Sequence, residues 1–138
     1  FFAGQSVLVT GSTGLTGSAL TKRLVAGGAS VRATTHTTNP SQSIATVEYM
    51  SADLTLMDDC QRAVKDMDYV IHCAAVSVGA GSMLNAPMDL VIPNVLMNTQ
   101  MMAASYGEKV RKFLTLGSTT SYPETGDRPT KESELFDG

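Results

Sequence analysis

The feature that most constrains the fold is a glycine-rich turn that follows a short apolar strand. Residues 7–17 read Val-Leu-Val-Thr-Gly-Ser-Thr-Gly-Leu-Thr-Gly, and a helical pattern follows directly. Gly11 permits a tight turn, Gly14 lets backbone N–H groups approach a bulky anion, and Gly17 lets the helix pack closely on the sheet. The first amide groups and the dipole of that helix would then point at a pyrophosphate. A purely connecting turn is the alternative, but the strand before the glycines and the helix after them favour dinucleotide binding.

Strand and helix patterns alternate along the rest of the chain. The predicted elements are strands at 7–10, 30–35, 47–50, 69–75 and 112–116 and helices at 16–26, 56–65 and 87–106. Such alternation predicts a parallel sheet with right-handed crossovers. We therefore expect an α/β, Rossmann-type doubly wound parallel sheet with five recognisable strands, in one domain that spans residues 1–138. Met97, Met101 and Met102 are expected to pack in the core rather than against a cofactor.

Composition and charge exclude several classes of function. The net charge of −3 provides no basic surface for nucleic acid. The longest apolar run, residues 70–78, is far too short to cross a membrane, and no signal peptide is visible. Cys60 and Cys73 lack the spacing of metal ligands, so we expect no metal site and a reduced, cytoplasmic setting.

Candidate site residues follow the ends of the predicted strands, because ligands of parallel sheets bind beyond the carboxyl ends of the strands. The positions concerned are residues 11–17, 35–36, 53–54, 74–76 and 117–120. No carboxylate follows the second strand, where an acid would bind the ribose of NAD. His36 and Arg32 are nearby cations that would suit the 2′-phosphate of NADP, although a side chain that simply points to solvent is the alternative for Arg32. The missing acid alone favours NADP over NAD. An ordinary exposed loop histidine is the equally weighted alternative for His36.

Other polar residues at the same edge have both a functional and a structural interpretation. Asp53 could accept a hydrogen bond from the amine of adenine while Leu54 packs against the ring, or it could cap the following helix. Ser118 and Thr119 lie at the mouth of the fifth strand, where the nicotinamide end of a cofactor would lie. A hydroxyl there could bond a substrate carbonyl or alcohol, although hydroxyls are also common in turns. His72, inside a strand, is expected to be a satisfied core histidine.

A set of motifs occurs in a fixed order and covers essentially the whole chain. The motifs are Thr10–Gly17, Asp53-Leu54, Val70–Ala75, Asn94-Val95 and Phe113–Ser118 followed by Tyr122-Pro123. Together they resemble the extended short-chain dehydrogenases/reductases of the nucleotide-sugar epimerase/dehydratase group. Within that group, residues 116–123 and 128–135 are similar to the corresponding segments of GDP-L-fucose synthases.

The resemblance implies an NAD(P)-dependent enzyme that transfers hydride at a carbon of a nucleotide sugar. By that analogy Ser118 is the catalytic hydroxyl, and Asn94 stabilises a helix break beside the active site. The implied cofactor contacts are Gly11, Thr13, Gly14, Leu15, Thr16 and Gly17 at the pyrophosphate, Asp53 and Leu54 at adenine, and Ala74, Ala75 and Val76 along the cofactor. The group often dimerises through a four-helix bundle that would use the helix predicted at 87–106 and a further helix downstream, so the resemblance offers a homodimer but leaves the assembly state open.

The chain departs from the pattern of the group at three places. Thr120 stands where fucose synthases have a proton-donating Cys, and Ser12-Thr13 stands where they have a basic residue. The sequence contains no Tyr-x-x-x-Lys, the pair that supplies the general acid/base of the group. We therefore expect an amino-terminal part of a longer enzyme that lacks the substrate domain and is inactive alone. A non-catalytic dinucleotide-binding sensor or scaffold module, and a reductase with a non-sugar substrate, are the alternatives.

Overall fold

The computed structural model describes residues 1–77, 85–118, 121–135 and 137. Its elements in chain order are β1 (Ser6–Thr10), α1 (Leu15–Ala26), β2 (Ser30–Thr35), β3 (Val47–Ser51), α2 (Met57–Val64), β4 (Tyr69–His72), α3 (Met88–Gly107), β5 (Lys112–Thr115) and a short 3₁₀ helix (Glu132–Glu134). The strands form one parallel sheet in the order β3-β2-β1-β4-β5. The predicted α/β Rossmann-type fold is therefore confirmed, and the strand order reverses beside β1.

The central strands are apolar on both faces because helices cover both sides of the sheet. Leu8 and Val70 belong to the core beneath α2 and α3, where Met101 is fully buried. Val7 and Val9 point to the opposite side and share a second core with α1. These two cores hold β1 in the middle of the sheet, so the glycine-rich turn emerges from the most buried strand.

Most predicted element bounds lie within one residue of the observed ones, and the exception is the end of β4. That strand stops at His72 rather than Ala75 because the next two backbone N–H groups, those of Cys73 and Ala74, donate to the Thr10 hydroxyl. The prediction that methionines pack in the core is confirmed for Met101 and for Met97, although Met97 also reaches the carboxyl edge of the sheet. It is wrong for Met102, whose side chain is exposed on α3.

The side of the molecule formed by β5 and the outer face of α3 is much less buried. β5 is an edge strand, and Leu114 within it is 46% exposed. The outer face of α3 exposes several large apolar side chains, which are Met88, Val91, Ile92, Val95, Leu96, Met102 and Tyr106. Within the described part of the chain, no helix combines the length and the hydropathy needed to span a membrane.

Candidate functional site

A cavity of about 430 Å³ lies at the carboxyl edge of the sheet, beside the point where the strand order reverses. Nine of the predicted cofactor residues line it, and they are Gly11, Thr13, Gly14, His36, Asp53, Leu54, Ala74, Ala75 and Val76. The segments that follow β1, β2, β3 and β4 each contribute to the wall. The structure thus brings together residues that lie far apart in the sequence.

The three glycines of the turn have different structural requirements. Gly11 has φ +65°, and a Cβ there would lie 2.7 Å from the Cα of Ala74. A Cβ on Gly17 would overlap the carbonyl oxygen of Gly11. A Cβ on Gly14 would be 3.4 Å from its nearest neighbour, again the Gly11 carbonyl oxygen. The protein's own packing therefore requires glycine at 11 and 17, whereas a Cβ at position 14, on the cavity wall, would make only an ordinary van der Waals contact.

The N terminus of α1 adjoins this open position. Gly14 is its N-cap residue, and no side chain of the described residues caps it. The first helical hydrogen bond of α1 runs from the Ser18 N–H to the Gly14 carbonyl at 3.0 Å. The N–H groups of residues 15–17 therefore donate to no carbonyl within the helix. Leu15 and Thr16 expose their side chains and do not line the cavity, so they can contribute only these backbone groups. Such a helix end suits a pyrophosphate.

A hydroxyl at the end of β1 joins the two strands that flank the cavity. The Thr10 Oγ1 atom accepts hydrogen bonds from the N–H groups of Cys73 and Ala74, both at 3.1 Å. It lies 2.8 Å from Nδ1 of His72, and since two N–H groups already donate to the oxygen, its hydrogen goes to Nδ1. His72 is therefore a neutral acceptor at Nδ1. Burial lowers the pKa of His72, and the nearby Asn98 side chain partly opposes that effect.

Asp53 and His36 face each other across the adenine end of the predicted site. The His36 Nε2 and Asp53 Oδ2 atoms are 3.9 Å apart, and both side chains are partly exposed. The helix-cap interpretation of Asp53 is wrong, because Leu56 is the N-cap residue of α2. Asp53 instead accepts hydrogen bonds from the backbone N–H and the hydroxyl of Thr55. These two bonds lower the pKa of Asp53 below its usual 3.8, and the nearby His36 adds to the effect.

Arg32 is not placed to meet a phosphate. Its guanidinium forms an ion pair with Glu48 at 2.9 Å and donates to the carbonyl groups of Ala63 and Lys65 at the end of α2. Its side chain is largely buried by these contacts. The prediction of Arg32 as a cation for NADP is therefore wrong, and His36 is the remaining candidate of that pair.

Asn94 supports the wall of the cavity from behind rather than lining it. Its side-chain amide pairs with both the N–H and the carbonyl of Val76, each at 2.9 Å. The same amide donates to the carbonyl of Leu90. The helix break expected beside Asn94 is wrong, because α3 runs from Met88 to Gly107 through Pro93. Asn94 thus fixes the segment after β4 to α3.

Of the two predicted catalytic residues, Ser118 lies on the less buried side of the molecule. Ser118 follows β5, is exposed, and accepts a hydrogen bond at its carbonyl from Ser121 N–H at 3.1 Å. It is not among the residues that line the cavity. Thr119 lies outside the described residues, as does Thr120.

The cavity wall includes Thr35, which follows the predicted strand end as expected, but sequence reasoning missed several other lining residues, which are Thr34, Thr37, Ala52, Thr55, Cys73, Ser77 and Met97. Most of them adjoin predicted residues at a strand end and could have been included by widening each segment. Cys73 was hidden by the overlong prediction for β4. Met97 reaches the site from α3, and its sequence pattern is the same as that of a core methionine. Among the residues that the structure describes, no cluster of three or more potential ligands could hold a metal ion.

Comparison with known proteins gives consistent matches. The family model described as "NAD dependent epimerase/dehydratase family" matches residues 7–137. A curated relative from Oryza sativa subsp. japonica, "Probable GDP-L-fucose synthase 1", is 32% identical over 139 residues, which cover 98% of this chain and 38% of the relative.

Two solved structures share the fold along nearly the whole chain. The epimerase Mth375 of Methanothermobacter thermautotrophicus has a TM-score of 0.84 at 24% identity, covering 96% of this chain and 41% of that one. A UDP-N-acetylglucosamine 4-epimerase of Methanobrevibacter ruminantium M1, solved with UDP-N-acetylmuramic acid, has a TM-score of 0.81 at 26% identity, with coverage of 96% and 44%. The chain spans about 40% of the length of the curated relatives it matches.

Proposed function

The chain belongs to the NAD dependent epimerase/dehydratase family, and from that premise we propose that its cavity binds a nicotinamide dinucleotide for chemistry on a nucleotide sugar. The pyrophosphate would lie over Gly14 and the first amides of α1. Adenine would lie at Asp53 and Leu54, and the remainder of the cofactor along residues 74–76. In this proposal the chain is the cofactor-binding domain, residues 1–138, of a longer enzyme.

The observation that carries the proposal is the contrast among the three glycines. Gly11 and Gly17 are required by backbone contacts within the protein, but a Cβ on Gly14 would have room. Glycine at position 14 therefore leaves room for a ligand rather than for the protein's own packing. It lies on the cavity wall next to the uncapped N–H groups at the start of α1. An approaching diphosphate supplies that reason, since it needs close contact with backbone N–H groups.

The preferred dinucleotide is NADP, with NAD as the alternative. Support comes from the end of β2, where the cavity wall contains threonines and His36 but no carboxylate of that segment. Asp53 faces the same space from β3 and could bind the adenine amine through an oxygen that Thr55 leaves accessible. A partly exposed carboxylate of lowered pKa remains an acceptor at neutral pH.

The proposed chemistry is hydride transfer at a sugar carbon, which a bound nicotinamide would supply. Ser118, and with it Thr119, would hold the reacting oxygen of the substrate by hydrogen bonding. A GDP-linked sugar is the substrate we favour, supported by the similarity to the Oryza sativa relative. The proton-transfer group is absent from this sequence, because none of its tyrosines is followed by Lys four residues later.

Assembly and location form the last part of the proposal. The apolar outer face of α3 suits a homodimer contact, since monomeric proteins rarely expose such a patch. Cys60 and Cys73 are both free thiols, which suits the reducing cytoplasm.

The decisive experiment measures dinucleotide binding to the 138-residue chain by calorimetry. Gly14→Val should weaken the binding of NADP and NAD at least about tenfold, since the valine methyl groups would occupy the diphosphate position. Gly107→Val is the matched control, because a Cβ there meets open space at the far end of α3. Equal affinities for the Gly14 variant and the unaltered protein would refute the pyrophosphate position, and no binding of either dinucleotide to the unaltered protein would refute the function.

A further inference from the structure

The turn that connects β3 to α2, residues 53–56, receives a hydrogen bond from a distant helix. The side-chain amide of Gln100 on α3 donates to the Thr55 carbonyl at 2.6 Å, although these two residues are 45 positions apart in the sequence. Within the turn, the Leu56 N–H donates to the Asp53 carbonyl at 3.0 Å. Asp53 and Thr55 line the cavity, whereas Gln100 is not among the lining residues. Gln100 therefore acts on the cavity through the turn.

Thr55 links this contact to the Asp53 carboxylate. Its N–H and its hydroxyl both donate to Asp53 Oδ1, at 2.9 and 2.7 Å, while its carbonyl accepts the Gln100 amide. The other carboxylate oxygen, Oδ2, lies 3.9 Å from Nε2 of His36. Because the same residue holds the carboxylate and is held by Gln100, a shift of the Thr55 backbone would move both carboxylate oxygens.

The face of α3 that carries Gln100 contacts the cavity at three successive positions. Asn94 fixes the segment after β4 through Val76, and Met97 lies on the cavity wall. Gln100 follows at the same spacing and fixes the turn after β3. Residues three positions apart lie on one side of a helix. One face of α3 therefore determines the distance between two walls of the cavity.

The second atom of the Gln100 amide group argues against a role in stability alone. Its Oε1 atom is buried, and no donor among the residues that the structure describes reaches it. A buried acceptor without a donor costs stability, and an apolar side chain of similar length would avoid that cost. The Gln100 side chain is therefore better explained by the position that it gives to Thr55.

We propose that Gln100 is a positioning residue that makes the cavity select adenine over a purine with a carbonyl oxygen in place of the amine. The inference rests on the proposed function, in which the Asp53 carboxylate accepts the amine of adenine. Adenine offers an N–H donor there, whereas hypoxanthine presents an oxygen that a carboxylate repels. A carboxylate held in a fixed position distinguishes the two bases, but a mobile one turns away from the oxygen. Gln100 thus controls the choice of base without touching it.

The test compares each dinucleotide, NADP and NAD, with its counterpart in which hypoxanthine replaces adenine, by calorimetry. The unaltered protein should bind the adenine form at least about tenfold more tightly. Gln100→Met keeps the length of the side chain but has no donor, so it should reduce this ratio at least about threefold. Gln61→Met is the matched control and should leave the ratio unchanged, because Gln61 is an exposed residue of α2.

A double variant shows whether Gln100 acts through Asp53. Asp53→Ala removes the carboxylate and should bring the ratio of the two affinities close to one. Adding Gln100→Met to Asp53→Ala should then change the ratio less than about 1.5-fold, since the two changes act on the same contact. A larger change in the double variant would overturn the proposal, because Gln100 would then affect the base by another route.

Hydrogen exchange of the Leu56 amide tests the contact without a ligand. Gln100→Met should speed this exchange at least about threefold relative to Gln61→Met, because the turn loses its bond to α3. The bond from the Asp53 N–H to Asp59 of α2 remains, so the turn should loosen rather than unfold.

The failure of this inference differs from the failure of the proposed function. If the unaltered protein bound neither dinucleotide, the proposed function would be refuted, and the selection of adenine with it. If the dinucleotides bind but Gln100→Met leaves the base ratio or the Leu56 exchange unchanged, the role of Gln100 is overturned while the proposed function stands.

Discussion

The glycine-turn region, residues 10–17 with Cys73 and Ala74, contrasts sharply with the outer region, β5 and the outer face of α3. In the first, the backbone packs so closely that positions 11 and 17 admit only glycine. The Thr10 hydroxyl there also forms hydrogen bonds with three groups, which belong to residues 72–74. In the second, Leu114 and a row of apolar side chains on α3 face solvent. The contrast teaches that the part proposed for cofactor binding is held by contacts within the protein, whereas the face of α3 proposed for assembly leaves large apolar side chains exposed.

The largest expected effect is at Gly17 in the glycine-turn region. Gly17→Val should lower the free energy of unfolding by at least about 3 kcal/mol, because the new Cβ overlaps the Gly11 carbonyl oxygen. The same change at Gly14 should cost less than about 1 kcal/mol, since its Cβ has room. Urea unfolding of the two variants measures the difference, and equal losses would show that the close packing does not distinguish these positions.

The next effect concerns the hydroxyl that joins β1 to the segment after β4. Thr10→Val should cost about 1–3 kcal/mol of unfolding free energy, because it leaves the N–H groups of Cys73 and Ala74 without their acceptor. Thr10→Ser keeps the oxygen and should recover most of that loss. If the serine variant were as unstable as the valine variant, packing of the methyl group rather than hydrogen bonding would account for the effect.

A pH effect of intermediate size arises at His72, where the two regions meet. Its ring bonds Thr10 on one side and lies 5.8 Å from the Phe113 ring of β5 on the other. Because burial lowers its pKa in the folded state, the unfolded chain binds more protons below the usual pKa of 6.5. Stability should therefore fall as the pH drops below 6.5, by at most about 1.4 kcal/mol per pH unit until the folded pKa is reached.

The measurement is urea unfolding at about pH 7.5 and about pH 5.5, with His72→Gln as the comparison variant. Glutamine can accept the Thr10 hydrogen bond but does not titrate. The variant should lose less stability than the unaltered protein between the two pH values. An identical loss in both proteins would assign the pH dependence to other groups.

The smallest effect on stability is expected in the outer region. Val95 on α3 is 57% exposed, so Val95→Glu should change the free energy of unfolding by less than about 0.5 kcal/mol. The added charge should nonetheless reduce self-association through this face, which sedimentation velocity measures. A large loss of stability without any change in association would mean that the side chain supports the monomer itself.

The sequence was most informative at the glycine-rich turn, where the same residues determine both the local backbone geometry and the proposed ligand contact. The glycine spacing predicted the turn and the start of α1, and the alternation of patterns predicted all five strands. The end of β4 was mispredicted because an apolar run cannot show that Thr10, far away in sequence, captures the next two N–H groups. Arg32 was misassigned for a similar reason, since its partners at the end of α2 are brought near only by folding.

The Thr10 hydroxyl also determines how the cavity would receive a ligand. Because a single oxygen atom ties the end of β1 to the segment after β4, the two walls cannot separate without losing both of the N–H bonds to that atom. Ligand binding therefore requires little ordering of this part of the backbone, and the free-energy cost of rearrangement is small. The cavity therefore selects its ligands by a preformed shape.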